Sequence, residues 1–295
     1  MNINKKQSQN FTLILFVLPA FIFFAAFKLI PAVLGLWFSF TNWNGINPTY
    51  KIIGLQNFAE IFTSDTDFWK AMLFTLKYVG VAIVALNVCA LVLAVLIESA
   101  RKGRSFFRTI FYMPNMISMI IGGYMWNFIF TQVLYYIADN TGLEFLNKSW
   151  LGDPKYSFTA IVIVAVWGGA GYLMVIYIAA IQSVPTALIE AAVVDGASAF
   201  RRFISITLPM IKQAFTICLF VTLNSAFQVF DVVFSLTGGG PGRLTQVVAI
   251  NIYEEAFGRS NRLGYATAKS TILFLVIMLI TLIQLRVMKK REEEM

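Results

Sequence analysis

Histidine is absent from this sequence, and cysteine occurs twice, as Cys89 and Cys218, each inside an apolar run. That inventory supports neither a disulfide framework nor a cysteine/histidine metal site. Charge is scarce too, with Asp, Glu, Lys and Arg making up 13% of the 295 residues. No nucleophile–base pair is visible, so no catalytic residue is assigned and the chain is not read as an enzyme. Its glycine clusters lack a following lysine–serine/threonine pair, which excludes a phosphate-binding loop of the usual kind.

What the sequence has in abundance is apolar length. Apolar residues make up 58% and the mean hydropathy is +0.73, values of an integral membrane protein. Six stretches of about 20 residues or more predict six membrane-spanning helices and an all-α fold. They run near Phe11–Phe38, Trp69–Ile97, Phe107–Phe130, Phe158–Ile181, Phe215–Leu236 and Ala266–Leu285. Pro19, Lys28 and Pro31 predict that the outer part of the first is bent or extends past the bilayer, and Pro114 predicts a kink in the third. The segment from Asn2 to Asn10 is polar with two lysines, and the apolar run after it is too long for a cleavable signal peptide.

The net charge of +8 invites a nucleic-acid reading, but its placement points to membrane orientation instead. Lys5, Lys6, Arg101, Lys102, Arg104, Arg108, Arg201, Arg202, Lys212, Arg286, Lys289, Lys290 and Arg291 all fall on one side of the six spans. Only six acidic residues share that side, so it is assigned to the cytoplasm together with both termini. The expected organisation is a cytoplasmic N-terminus over 1–10, a transmembrane domain over 11–287 and a cytoplasmic tail over 288–295.

One cytoplasmic stretch carries a tight pattern, Glu190 to Pro209, EAAVVDGASAFRRFISITLP. Ala187 to Val194 are mostly good helix formers after Pro185. Gly196 permits the left-handed turn that ends this helix, and Phe200 to Ile206 resumes helically before Pro209. The spacing E-A-A-x3-G-x9-I-x-L-P, together with Gly54-Leu55-Gln56-Asn57-Phe58 and Thr237-Gly238-Gly239-Gly240-Pro241, resembles the permease subunits of ATP-binding-cassette importers of the carbohydrate type. The likeness is to the first of their two permeases, as in maltose and glycerol-3-phosphate systems, and it extends over nearly the whole chain.

The resemblance implies a type I importer permease fold in the cytoplasmic (inner) membrane of a prokaryote. It implies a cytoplasmic coupling helix within 185–209 that docks on an ATPase subunit through Glu190, Ala191, Ala192, Asp195, Gly196, Ile206, Leu208 and Pro209. The implied partners are a second homologous permease, two ATPase subunits that carry ATP and Mg, and an extracytoplasmic substrate-binding protein. This chain itself would bind no cofactor.

Candidate substrate contacts come from the spans. Asn224, Gln228, Asp231 and Ser235 are spaced by four, three and four residues, which on a continuous helix is one narrow stripe. Amides and a carboxylate at membrane depth must face protein or water, and they suit sugar hydroxyls. Hydrogen bonding to a partner helix is the other use of such a stripe. Trp167 and Tyr172 flank the Gly168-Gly169-Ala170-Gly171 run and are further candidate sugar contacts. Asn87 is expected to bond a neighbouring helix, and Lys269 to snorkel towards the membrane surface. A competing function is a secondary, ion-coupled transporter with Asp231 as its coupling carboxylate.

Overall fold

The computed structural model describes residues 15–100, 102–258 and 261–293. The N-terminal 1–10 segment with Lys5 and Lys6, the first residues of span one, Arg101 and Glu294 lie outside the described residues. Four helices are long and apolar enough to cross a bilayer: α1 Leu15–Phe38, α3 Thr66–Ser99, α6 Pro154–Gln182 and the membrane part, Leu263–Met288, of α12 Leu263–Glu293. Two bent pairs bring the number to six where each pair is counted as one span. These are α4 Arg104–Met116 with α5 Met119–Thr141, at 95°, and α8 Ala199–Met210 with α9 Lys212–Phe227, at 70°. Shorter helices are α2 Gln56–Thr63, α7 Thr186–Val194, α10 Asp231–Leu236 and α11 Val248–Phe257. The all-α expectation holds among the described residues, which contain one isolated bridge between Thr41 and Ile52.

The chain divides into two compact units. The first takes in the described residues of Met1–Asp65 with Ile252–Phe274. Its α1 buries none of its apolar window, as suits a helix that meets lipid or another chain, and a π-turn at Ala25–Leu29 precedes Pro31 in place of a sharp break. After α1 the chain folds back in a short hairpin. Asn57 of α2, which is buried, donates from its amide to the Ser39 and Thr41 carbonyls and closes the turn. Gly264 donates its N–H to the Trp43 carbonyl, and a Cβ there would run into the Thr41 carbonyl.

Five charged groups tie this unit together. Arg262 holds Glu60 with two hydrogen bonds, of 2.8 and 2.6 Å, and Glu60 keeps that guanidinium above its ordinary pKa. Lys269 lies between Asp65 at 2.8 Å and Glu255 at 2.9 Å, and Tyr265 donates to Asp65. Lys269 does not snorkel. It is 1% exposed, because two carboxylates meet its ammonium where it lies and neutralise the charge in place.

The second unit, Thr66–Asn251 with Leu275–Met295, holds the packed core. There α3 and α6 lie along one another, α9 joins both, and α10 packs on α5. Asn87 of α3 is the polar pin of this core. It accepts from the Tyr177 hydroxyl of α6 at 2.8 Å and donates to Thr222 Oγ1 of α9 at 3.2 Å, as expected of a lone amide in a span. Tyr177, Thr222 and Asn87 are all buried. The glycines of α6 serve close packing and not a break, since the helix is continuous. A side chain at Gly171 would meet the backbone of Phe111 in α4, and one at Gly168 would meet Met119 of α5.

The buried cation gives this section its test. Lys269→Met removes the charge and leaves Asp65 and Glu255 facing one another. Loss of one partner from a buried ion cluster costs about 3–5 kcal/mol. A clear drop in the thermal midpoint of the detergent-solubilised protein is expected, and an unchanged midpoint would restore a lysine that merely snorkels.

Candidate functional site

Two features stand out, a cavity in the packed core and a helical hairpin that buries nothing.

The cavity, of about 350 Å³, opens where three helices are interrupted or thinned. Its first wall is the bend between α4 and α5. A 3₁₀ turn at Met113–Met116, with Pro114 near its start, leads into extended Ile117, so the kink expected of Pro114 becomes a full change of direction. Its second wall is α6 at Ala165, Gly168 and Gly169, where the missing side chains leave room. Its third is a break between α9 and α10. Gln228, Val229 and Phe230 are not helical, and both Gln228 and Asp231 project, exposed, into the opening. Tyr78 and Leu86 of α3 complete the lining.

Beside these breaks two side-chain amides cross between elements. Asn115 donates to the Gly168 carbonyl at 3.2 Å, and Asn127 donates to the Leu236 carbonyl at 2.7 Å. Non-helical backbone at membrane depth is tolerated only where it is satisfied by protein or lines a cavity, and both conditions hold here.

The single polar stripe on span five is corrected by this geometry. A stripe needs an unbroken helix, and the helix ends at Phe227 and restarts at Asp231. The four residues therefore separate. Gln228 and Asp231 line the cavity. Asn224 donates to the Phe220 carbonyl of its own helix. Ser235 is buried against Gly123 of α5, where a Cβ would collide with its hydroxyl, and it donates to the Asp231 carbonyl.

Trp167 and Tyr172 sit outside the cavity lining. The Trp167 ring lies 5.8 Å from that of Trp126, nearly perpendicular to it, and covers Gly122. Tyr172 is exposed on another face of α6. Sequence reasoning missed Tyr78 and Ser225 as lining groups and noted Asn115 only as polar. Ser225 stands one helical turn from Gln228, a spacing that could have drawn attention to it. Tyr78 sits in an apolar run with no distinguishing signal.

The hairpin takes in α7, the turn at Asp195–Ser198 and α8. Gly196 has φ +75°, the left-handed geometry expected of it, and the Ser198 side chain caps α8 by accepting from the Arg201 N–H. Neither helix buries a residue. Glu190, Ala191, Asp195, Gly196 and Pro209 are exposed, while Ala192, Ile206 and Leu208 are half-buried. Val194 is 88% exposed and Phe200 75%, so the tip is apolar as well as bare. Large apolar side chains this exposed are candidates for an interaction site.

Comparison with known proteins agrees with this architecture. Residues 86–293 match the family described as the binding-protein-dependent transport system inner membrane component. Over 95% of each chain, the sequence is 43% identical to the probable starch degradation products transport system permease protein AmyD of Thermoanaerobacterium thermosulfurigenes. It is 34% identical to the probable ABC transporter permease protein YurN of Bacillus subtilis, over 95% of this chain and 97% of that one. In three dimensions it is similar to a chain in the crystal structure of a bacterial ABC transporter involved in the import of the acidic polysaccharide alginate. The TM-score is 0.85 at 26% identity, with 98% and 99% of the two chains covered. The match over residues 86–293 and the likeness of fold make this chain a member of the family of binding-protein-dependent transport system inner membrane components, a multi-pass permease with the type I importer fold.

Proposed function

We propose that the chain is one half of the translocation pathway of a carbohydrate importer, that its cavity receives the sugar, and that the α7–α8 hairpin couples it to ATP hydrolysis on separate ATPase subunits. The observation that carries the reading is the bare hairpin. A helical pair with an apolar tip, exposing Glu190, Asp195 and a left-handed Gly196, is stable in water only when another surface covers it. Its spacing is that of the coupling element in importer permeases, and the match between chain and family runs through it. Relatives are named for starch degradation products, and a neighbour of known structure for alginate, which supports a saccharide as cargo.

In this arrangement a second homologous permease supplies the facing half of the pathway. Two ATPase subunits hold ATP and Mg, and an extracytoplasmic binding protein delivers the sugar. The positive-inside distribution of Lys and Arg supports placing the hairpin, both termini and the 288–295 tail in the cytoplasm, with 11–287 as the membrane domain. Closure of the ATPase pair would pull on the hairpin. The broken elements beside the cavity, α4–α5 and α9–α10, are where the helical backbone of the core is interrupted.

Within the cavity, Gln228 offers both donor and acceptor and Asp231 offers a carboxylate, groups that complement sugar hydroxyls. Asn115 and Ser225 add polar contacts. A gradient-driven carrier using Asp231 alone has less support, because the family to which the chain belongs depends on a binding protein.

Two tests follow. Gly196→Asp strains the turn by about 1–2 kcal/mol and places a side chain where a partner would sit. Glu190→Lys reverses the charge on the same face. Each is expected to leave the spans inserted while reducing co-purification of the ATPase and sugar-stimulated ATP turnover, and full retention of both would remove the hairpin's coupling role. Gln228→Ala and Asp231→Ala are each expected to raise the concentration of sugar needed for half-maximal transport. A hydrogen bond worth about 1 kcal/mol corresponds to roughly a fivefold change. Unchanged transport kinetics in both variants would make the cavity wall a packing feature.

A further inference from the structure

A second cleft, of about 240 Å³, lies in the hairpin after α1, within the first compact unit and apart from the core cavity. It is lined by Asn42, Asn44, Asn47, Thr49, Tyr50 and Lys51. The residues divide into two groups by what their side chains do. Asn42 and Asn44 spend their side-chain oxygens on the loop itself. Asn42 Oδ1 accepts from the Lys51 N–H at 2.8 Å, and Asn44 Oδ1 accepts from the N–H groups of Ile46 and Asn47 at 3.1 and 2.9 Å.

Backbone pairing holds the same frame, from the Asn42 N–H to the Lys51 carbonyl and from the Ile53 N–H to the Phe40 carbonyl. Trp43 donates its indole N–H to the Asn47 carbonyl, which pins the tip of the loop. The cleft is therefore preformed.

The other polar groups of the lining have no task within the described residues. The Asn47 amide, the Thr49 and Tyr50 hydroxyls and the Lys51 ammonium make neither hydrogen bond nor ion pair there. Behind them stands a tier of aromatic rings. Phe38 and Trp43 lie 4.2 Å apart between ring centres, and Tyr50 is 5.6 Å from Phe38 and 6.1 Å from Trp43. Tyr50 is 40% exposed and lines the cleft itself. A rigid concave surface with an aromatic ring at its side, unused amide and hydroxyl groups around it and one cation is matched to a polyol ring. Such a ligand offers apolar C–H faces and many oxygens that both donate and accept.

We infer that this cleft is a saccharide-binding subsite that holds one sugar unit of an oligosaccharide on the loop after α1, separate from the cavity lined by Gln228 and Asp231. The inference rests on the carbohydrate reading of the cargo. An apolar ridge would suit a protein partner, whereas a concave lining of amides and hydroxyls suits a small polyol. The volume admits a single ring, so the subsite would grip one unit of a chain and leave the rest to pass on.

The test uses the full chain in lipid nanodiscs and reads saturation transfer to maltotriose, maltoheptaose and an alginate trisaccharide by NMR. Gln228→Ala/Asp231→Ala serves as the background in which the core cavity is disabled. Saturation transfer to at least one saccharide is expected to persist in that background. It is expected to weaken roughly tenfold in affinity when Asn47→Ala and Thr49→Val are added, as loss of two modest hydrogen bonds implies. Neither added substitution touches the side-chain bonds that hold the loop, and circular dichroism of the variant checks that it folds. A signal unaffected by Asn47→Ala/Thr49→Val overturns the subsite and leaves the carbohydrate reading intact. No signal from any saccharide with the unmodified chain overturns both. Full saccharide binding in the variant with lost capture of the cognate binding protein would make the loop a protein-docking element and so overturn the subsite.

Discussion

Hydrocarbon offers no hydrogen-bond partner, so every backbone group that leaves a helix inside the membrane must be met by the protein. This constraint shapes the packed core more than any single contact. The chain interrupts α4–α5 with a 95° bend and separates α9 from α10 with three non-helical residues. Asn115, in the first interruption, donates to the Gly168 carbonyl of α6, and Asn127 of α5 donates to the Leu236 carbonyl at the end of α10. These amides tie neighbouring elements together beside the breaks, and the break residues line the cavity. Asn87 performs the complementary task where the helices are whole, joining α3, α6 and α9 through Tyr177 and Thr222.

The same logic separates structural from functional polarity. Amides consumed by carbonyls, such as Asn115 and Asn127, rigidify the walls, although Asn115 also reaches the cavity lining. Gln228 and Asp231 sit at a helix end and a helix start, exposed in the opening. The proposed sugar site would need this combination, a fixed frame and a few groups left to the ligand. The hairpin formed by α7 and α8 follows an opposite rule. It holds no fully buried residue and exposes apolar Val194 and Phe200 as well as Glu190 and Asp195, the surface proposed to dock another protein.

Much of this was legible in the sequence because the signals were long or conformationally specific. Six apolar stretches give six spans, and Gly196 gives its left-handed turn because side chains disfavour that backbone. The failures have physical causes. The polar stripe assumed that span five stays helical, yet no proline or glycine lies between Gln228 and Phe230 to announce the break. Lys269 was misjudged because its carboxylate partners, Asp65 and Glu255, are distant in sequence and meet it only in the fold. Trp167 carries no mark that distinguishes a ring packed edge-to-face against Trp126 from one that faces a ligand.

The central claim is that this permease moves sugar only when ATP hydrolysis elsewhere drives it through the α7–α8 hairpin. The direct measurement is uptake of labelled oligosaccharide into proteoliposomes. One set holds the chain with its partner permease, ATPase subunits and binding protein, and a second holds the chain alone under an imposed ion gradient. The account predicts accumulation in the first set that requires both ATP and binding protein, and none in the second. Accumulation by the chain alone, driven by the gradient and indifferent to ATP, would contradict it.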